Sequence, residues 1–335
     1  LGGKVSIPLL KENPIEIDLN FININNIDND NDNGSRSAFL NLYNELSFEM
    51  IFNTESLVYN SHDYGSWSFS LSRDDKSLIL DNLKGVYGKW GLTFNENKVS
   101  RLIINREGLG WKTSLDSRAY SGSPEKAFKQ IGIEPNFEMD TFEMDVSVNW
   151  SSLPWDVYYG NIIGDIDLNI KGLVIKNREE LQAQNNLLRI VNIFNITDSF
   201  EKITNLDFRK LYKTGFSADS VSGVINITKD DLNIKSPLVF KSGSSEFSWK
   251  GNILRDEKAF LKDLNLEVVM TLPLRDYLPA YALLLGGPLT AGIVYIAGKA
   301  FERNLDQLSS GSWSITGTLE QPVTNFNGWF ESSKN

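Results

Sequence analysis

The sequence contains no cysteine, and this absence removes several kinds of chemistry at once. Without thiols the chain cannot form a disulfide, use a cysteine nucleophile or bind a metal through sulfur. It has one histidine, His62, which stands beside Asp63 in a segment typical of a loop. Adjacent residues on a strand would point to opposite faces, so these two side chains do not make an obvious relay. We therefore predict a loop histidine without a catalytic role.

Positive charge is also scarce, with 33 basic residues against 43 acidic ones and a formal net charge of -10. No basic stripe stands out, which argues against binding to a phosphate backbone. The sequence has no phosphate loop, no Gly-x-Ser-x-Gly and no His-Glu-x-x-His, and "GLGWKT" at Gly108 lacks the last glycine of a dinucleotide motif. We therefore predict no nucleic-acid partner, no enzyme activity and no cofactor.

A calcium site is suggested by "IDNDNDNGS", Ile27 to Ser35, where aspartates alternate at positions 28, 30 and 32. The rest of the loop does not fit that site. Asn33 stands where a calcium loop has glycine, and Phe39 stands where it has a bidentate glutamate. The segment is more typical of a solvated loop between strands, so we predict no metal site.

A start methionine and a signal peptide are also missing, since the chain begins at Leu1 without a basic and apolar leader. We expect a mature product or an excised piece of a longer protein. The 335 residues are 41% hydrophobic, which is enough for a core without disulfides or metals.

What the sequence has in abundance is alternation of apolar and polar residues. "IEIDLNF" (Ile15 to Phe21), "LSFEMIF" (Leu46 to Phe52) and "WSFSL" (Trp67 to Leu71) show it in the first part, and "FEMDVSVNW" and "IDLNI" show it further on. Period two exposes one face of a strand to water and places the other against apolar groups. Many such strands joined by Gly, Asn, Asp and Ser turns predict a large antiparallel sheet.

The apolar phase of these strands supplies the candidate functional face. Its members in the cleanest strands are Phe142, Met144, Val146, Val148, Ile166, Leu168, Ile170, Val221, Ile225, Ile227, Phe247, Trp249, Leu266 and Val268. Trp67 and Trp150 also fall in the apolar phase, where tryptophan is usually part of a core. Trp313 and Trp329 flank the last strand-like segments, where an interfacial role is conceivable.

Few helices are predicted. "SPEKAFKQIG" has Ser123 as a candidate N-cap, Pro124 at the first position and Gly132 at the end. Helical spacing recurs between residues 185 and 203 and again near residues 280–308.

The last of these segments is the most apolar, with no charge between Asp276 and Lys299. A continuous helix of this length would rise about 33 Å, enough to cross a bilayer core. Pro279 and the triplet Gly286-Gly287-Pro288 interrupt it, so we predict two short helices joined by a bend.

The order of segments from about Ser123 to the C terminus resembles a known family. "PEKAFKQIGI", "DVSVNWSSLPWDV", "GDIDLNIKGLVI", "GFSADSVSGVINI" and "LLGGPLTAGIVYIAGK" carry the resemblance. They are similar to the C-terminal region of the YhdP family, which belongs to the AsmA-like superfamily together with TamB. Residues 1–120 are assigned on their strand pattern as a β-rich groove segment, and residues 121–335 as an AsmA-like C-terminal segment.

This resemblance implies a long, curled antiparallel sheet that forms a trough-like groove, with helices packed at the groove. It further implies a periplasmic protein of Gram-negative bacteria that carries phospholipid toward the outer membrane. An N-terminal helix, absent from this sequence, would anchor it in the inner membrane. The apolar strand positions above would then contact acyl chains, without catalysis.

The apolar C-terminal stretch would have a role in the same scheme. It would close the end of the groove or touch the inner leaflet of the outer membrane through Leu283, Leu284, Leu285, Leu289, Ile293, Ile296 and Phe301. Other envelope proteins are possible partners.

Alternation alone leaves other interpretations open. A closed sandwich or barrel demands the same period as an open groove, because both bury one face of each strand. The alternative is a structural or scaffolding envelope protein with a closed core and no lipid cargo. A sugar-binding or hydrolytic β-domain that uses Trp and Asp pairs is a third hypothesis.

Overall fold

The structure is a computed structural model of the chain, and it describes residues 2–10, 13–24, 39–41, 43–46, 48–59, 62–87, 90–93, 99–130, 137–157, 159–176, 215–243, 245–256, 259–271, 310–319 and 321–330. The chain is mainly β, which confirms the predicted fold class. It divides into two compact units. Unit 1 comprises residues 1–134 and 141–167, and unit 2 comprises residues 135–140 and 168–335. The division predicted near residue 120 from the family pattern stays a prediction.

The described residues contain nineteen strands. In chain order these are β1 (Gly2–Ser6), β2 (Ile15–Ile24), β3 (Met50–Thr54), β4 (Leu57–Tyr59), β5 (His62–Asp63), β6 (Ser66–Arg73), β7 (Ser77–Tyr87), β8 (Trp90–Thr93), β9 (Arg101–Glu107), β10 (Gly110–Ser121), β11 (Phe137–Glu138), β12 (Thr141–Trp150), β13 (Ile163–Lys176), β14 (Gly215–Ile227), β15 (Asp231–Ser242), β16 (Ser245–Arg255), β17 (Leu261–Thr271), β18 (Ser310–Gly317) and β19 (Pro322–Phe330).

Unit 1 is a sheet that is antiparallel except near its beginning. β1 pairs antiparallel with β2, and β2 pairs in parallel with β3 and β4. From β3 the order continues antiparallel through β6 and β7 to β8 and β9, then β10 and β12. Unit 1 therefore agrees with the predicted antiparallel sheet except at β2, whose two parallel partners require a crossover connection rather than a hairpin.

The crossover from β2 to β3 includes a short helical stretch that the sequence interpretation missed. Residues 39–41 and 43–45 are helical, and we call residues 39–41 and 43–46 the crossover segment. Phe39, Tyr43 and Leu46 are buried at helical spacing, while Leu40 and Glu45 are exposed. The strand predicted from Leu46 to Phe52 is consequently wrong in its first half, since β3 begins at Met50.

Unit 1 contains the predicted helix and has a strand where the sequence predicts a loop at His62. A helix spans Pro124–Gln130, where the sequence predicts one, and Lys129 pairs with Glu125 one turn away at 2.8 Å. The loop predicted at His62 is wrong, because His62 and Asp63 form the short strand β5 against β4. 3₁₀ turns occupy Pro154–Asp156 and Tyr159–Asn161.

Unit 2 is built on an antiparallel meander. β14 pairs with β15, and each later strand pairs with the next through β19. β11 pairs with the last part of β13. Period-two alternation with short turns between most neighbours explains why this order agrees with the predicted antiparallel sheet. The helices predicted at 185–203 and 280–308 lie outside the described residues.

Candidate functional site

The apolar residues of unit 1 fall opposite one another across its strands, so they form one face of the sheet. One row of cross-strand partners runs through Ile15, Met50, Leu71, Leu80, Leu102, Leu115 and Val148. A second row on this face runs through Leu19, Thr54, Trp67 and Gly85, and Ala119 and Met144 are partners further along it. Side chains that are directly opposite on neighbouring strands are in contact range, so the first row is a continuous apolar strip.

The part of this face on β2, β3 and β6 is only half covered. Ile17, Leu19, Phe52 and Phe69 are neither buried nor fully exposed. The rings of Phe52 and Phe69 stack with their centroids 4.8 Å apart. On the opposite side of the same strands, Asp18 and Asn53 are joined by a hydrogen bond of 2.8 Å. This region therefore offers an accessible apolar surface on one side and a polar one on the other.

The crossover segment covers a neighbouring part of the same face. Phe39, Tyr43 and Leu46 form a cluster with Leu71, Leu78, Ile104 and Leu153, in which the three strand residues are only 5%, 2% and 3% exposed. Trp111 meets Phe39 and Tyr43 edge to face, at centroid distances of 5.2 and 4.9 Å. This part of unit 1 is a closed, well-packed core.

β12 carries four of the predicted site residues in unit 1. Val146 and Val148 are buried with Trp150, and Met144 and Ile166 pack against them. Phe142 is also buried, in register with Ser121 of β10. The predicted members of this strand therefore do share one face, as period two requires.

A pair of hydroxyl groups interrupts the apolar face of unit 1 without leaving a polar group unsatisfied. The Ser100 and Ser117 oxygens lie 2.9 Å apart, and both residues are almost completely buried. Thr113, also buried, donates to the carbonyl of Ser152 at 2.7 Å. Buried polar atoms that are hydrogen-bonded in this way cost little, so they are compatible with an apolar surface.

The predicted residues of unit 2 also lie on one face. Val221, Phe240, Phe247 and Met270 form one cross-strand row, and Leu238, Trp249, Val268 and Trp313 form the next. Ile225, Ile234, Gly251, Leu266 and Ile315 form a third. Val268 and Trp313 have no exposed surface, whereas Ile225 is half-buried. The interfacial role considered for Trp313 is wrong, because its side chain has no exposed surface.

The last three predicted residues belong to β13, which runs through the division between the units. Ile166 lies in unit 1, and Leu168 and Ile170 lie in unit 2. Ile170 is buried and Leu168 is half-buried. The structure thus places the predicted set on two apolar faces, one in each unit.

Charged side chains of β10 and β12 lie on the polar side of unit 1. Arg118 binds Asp145 through its Nε at 2.8 Å and Glu143 through Nη1 at 2.9 Å. The hydrogen bond to Asp145, together with the nearby carboxylates, raises the pKa of Arg118 above its ordinary value. Arg101 pairs with Asp81 in the same way on β9 and β7, and its pKa is likewise raised. The apolar face has no comparable ion pair among the residues named above.

Metal-ligand side chains do not cluster in the described part of the chain. No group of three or more His, Cys, Asp or Glu side chains there could hold a metal ion. The aspartates at 28, 30 and 32, considered for calcium, lie outside the described residues. Among the helices that the structure describes, none is long and apolar enough to cross a membrane.

Comparison with known proteins agrees with this architecture. The family model of the YhdP protein matches residues 1–324. The chain belongs to the YhdP family. It is 22% identical over 262 residues to the intermembrane phospholipid transporter YhdP of Escherichia coli strain K12. The matched segment covers 77% of this chain and 20% of that relative. No solved structure matches the chain.

The YhdP family matches residues 1–324, a longer part of the chain than the segments from Ser123 onward that carry the sequence resemblance. The predicted groove-end residues of this YhdP-family chain, from Leu283 to Phe301, lie outside the described residues, so their role stays a prediction. The faces of β2, β3 and β6 were not among the predicted site residues. The alternation of Ile15, Ile17 and Leu19 was the signal that could have added them.

Proposed function

We propose that this chain is part of a non-catalytic conduit that carries phospholipid between the inner and outer membranes across the periplasm. The E. coli relative is named an intermembrane phospholipid transporter, and the chain spans only 20% of its length. The proposal therefore concerns a section of a longer path. It assigns acyl chains to the apolar faces of the two units and head groups to water.

The observation that carries this proposal is the half-covered apolar face of β2, β3 and β6. Ile17, Leu19 and Phe52 keep part of their surface accessible although they sit among other apolar residues. An acyl chain needs no hydrogen bonds and gains about 0.8 kcal/mol for each CH₂ that leaves water. A strip of apolar side chains without ion pairs can therefore contact an acyl chain along the whole length of the strip.

The residues that we assign to acyl-chain contact are those whose strands keep them on these faces. They are Phe142, Met144, Val146, Val148 and Ile166 in unit 1, and Leu168, Ile170, Val221, Ile225, Ile227, Phe247, Trp249, Leu266 and Val268 in unit 2. To these we add Ile17, Leu19, Phe52 and Phe69. No cofactor is needed, because transfer along such a surface breaks no covalent bond.

The cellular setting is part of the proposal. A protein that moves phospholipid between membranes has to cross the periplasm, and we propose that an N-terminal helix anchors it in the inner membrane. We propose that the C-terminal apolar stretch contacts the inner leaflet of the outer membrane. Other envelope proteins are candidate partners.

One observation favours the alternative of a scaffolding protein with a closed core. The crossover segment covers Leu71, Leu78 and Ile104 as completely as in an ordinary core. If the apolar faces were closed throughout the protein, they would stabilise the fold and leave no room for cargo.

Organic extraction separates the two functions. The protein is purified from envelope membranes, extracted with chloroform and methanol, and the extract is analysed by mass spectrometry. We expect phospholipid to copurify in a fixed ratio to protein, above the level of an unrelated periplasmic protein that is purified in parallel. A ratio equal to that control would contradict the conduit and favour the scaffold.

A further inference from the structure

The crossover segment occupies a surface that the proposed function assigns to acyl chains. Phe39, Tyr43 and Leu46 point toward the sheet and pack on Leu71 and Leu78. The strip beneath continues on both sides of it, through Met50 in one direction and Leu102 in the other. An acyl chain and the crossover segment therefore cannot cover this part of the strip together.

Exchange between the two is physically reasonable because they cover the same apolar surface. The side chains of Phe39, Tyr43 and Leu46 keep water from the strip as hydrocarbon would. The outward side of the segment is already solvated, since Leu40, Asn41, Asn44 and Glu45 are exposed. If an acyl chain displaced the crossover segment, hydrocarbon would still cover the strip. The displacement would therefore not expose the apolar face to water.

One residue of the sheet holds the segment by polar contacts. The Nη1 of Arg73, at the end of β6, donates a 2.9 Å hydrogen bond to the carbonyl of Asn44. The guanidinium also lies 4.8 Å from the centre of the Tyr43 ring. Asn44 is near the end of the helical residues, where carbonyl groups lack helical partners and attract a cation. Arg73 thus acts as a latch on the crossover segment.

We propose that the crossover segment is a removable plug of the lipid path, latched by Arg73, and that phospholipid passes this part of unit 1 only when the segment is displaced. The proposal rests on the proposed function, and it adds a regulated step to it. In the latched state lipid reaches the half-covered surface at Ile17 and is excluded from the strip at Leu78.

Site-specific photocrosslinking tests the plug. A leucine-sized diazirine amino acid replaces Ile17 or Leu78 in the protein expressed at full length in cells, and crosslinked lipid is measured by mass spectrometry. Each position is examined in the natural background, with Arg73→Ala, and with Arg101→Ala as a matched control. Arg101 pairs with Asp81 on the polar side and is absent from the apolar cluster around the crossover segment.

We expect lipid at position 17 in all three backgrounds. At position 78 we expect little lipid in the natural and Arg101→Ala proteins and a several-fold rise with Arg73→Ala. Tyr43→Leu, which removes the ring beneath the guanidinium but keeps an apolar side chain, should give the same rise and serves if Arg73→Ala folds poorly.

Three results overturn the plug. Equal labelling at position 78 in every background means that the segment does not exclude lipid. Labelling at position 17 with none at position 78 in either unlatched variant means that the segment is a permanent part of the core. Absence of lipid at both positions contradicts the proposed function itself and removes the plug with it.

Discussion

Gly251 shows how a single residue can determine the shape of the apolar face. It lies within β16 with a φ of +108°, a backbone conformation that residues with a Cβ rarely adopt. A Cβ at this position would overlap the carbonyl oxygen of Asn265 on β17. The absence of a side chain therefore lets β16 and β17 approach closely at Gly251, which lies between Ile234 of β15 and Leu266 of β17.

We predict that Gly251→Ala is far more destabilising than Gly243→Ala. Gly243 also has a positive φ, of +57°, but its missing Cβ would meet nothing. Gly243→Ala should lower the free energy of unfolding by only about 1 to 2 kcal/mol, the cost of placing a residue with a Cβ in the left-handed conformation. Gly251→Ala adds a clash with a backbone atom that cannot move alone, so we expect about 3 kcal/mol or more. Urea unfolding followed by tryptophan fluorescence measures both, and equal midpoints would contradict this account.

The sequence predicts well on which face of the sheet a residue lies when that residue belongs to a strand with apolar and polar residues in alternation. Val146 and Trp249 could be placed on an apolar face because alternation alone fixes the side of a strand. Trp313 was not placed on that face, although Trp313 and Ile315 alternate with Ser312 and Ser314 in β18. Arg73 could not be recognised either, because its partners, Tyr43 and Asn44, lie on a segment about thirty residues earlier in a fold whose crossover was not expected.

At the scale of elements, the β6–β7 hairpin has a turn that depends on one carboxylate. The Asp74 side chain accepts hydrogen bonds from the backbone N–H groups of Lys76 and Ser77, at 2.9 and 2.7 Å. These two bonds hold the pKa of Asp74 below its ordinary value. A lowered folded-state pKa means that the contribution of Asp74 to the turn is present above the unfolded pKa and is lost as pH falls through the folded one.

We predict that Asp74→Ala increases amide hydrogen exchange of Lys76 and Ser77 at neutral pH, because both N–H groups lose their acceptor. In the natural protein, protection of these amides relative to the unstructured chain should stay constant near neutrality and fall only below the ordinary aspartate pKa of about 3.9. Asp75→Ala is the matched control, since Asp75 is the next residue and accepts neither of these bonds. A similar loss of protection in the Asp75→Ala protein would refute the prediction.

The elements themselves divide into those that local pattern specifies and those that it does not. β12, β14, β16 and β17 appear where alternation predicts them, because each has one buried side. The parallel partners of β2 were missed, since period two encodes a face but not the identity or direction of the neighbour. The crossover segment was missed because the helical spacing of Phe39, Tyr43 and Leu46 runs directly into the alternating "LSFEMIF". Its spacing of four and three residues was nevertheless present in the sequence.

At the scale of the whole molecule, both compact units carry an apolar face on a sheet with a polar opposite face. The faces differ in accessibility. The surface at Ile17 and Leu19 is half-covered, whereas most named members of the unit 2 face are buried, with Ile225 half-buried. A conduit uses such faces one after another, whereas a set of separate binding sites uses them independently. Substitutions in one unit and in both units distinguish the two cases.

We predict that Leu19→Asp in unit 1 and Ile225→Asp in unit 2 each stop phospholipid transport almost completely, and that the double variant is no worse than the more severe single one. A carboxylate on an apolar strip has to be desolvated whenever an acyl chain passes, and one such barrier is enough when the sections act in series. Both positions are half-buried, so the new charge can reach water and the fold should survive.

Asn20→Asp and Asn233→Asp are the controls, because they place the same carboxylate at exposed positions of β2 and β15, and both variants should transport normally. Transport is measured as delivery of labelled phospholipid to the outer membrane in cells, with circular dichroism of each purified variant as the test of folding. Single variants that each lose only part of the activity, with losses that add in the double variant, would show independent sites and contradict a single path through both units.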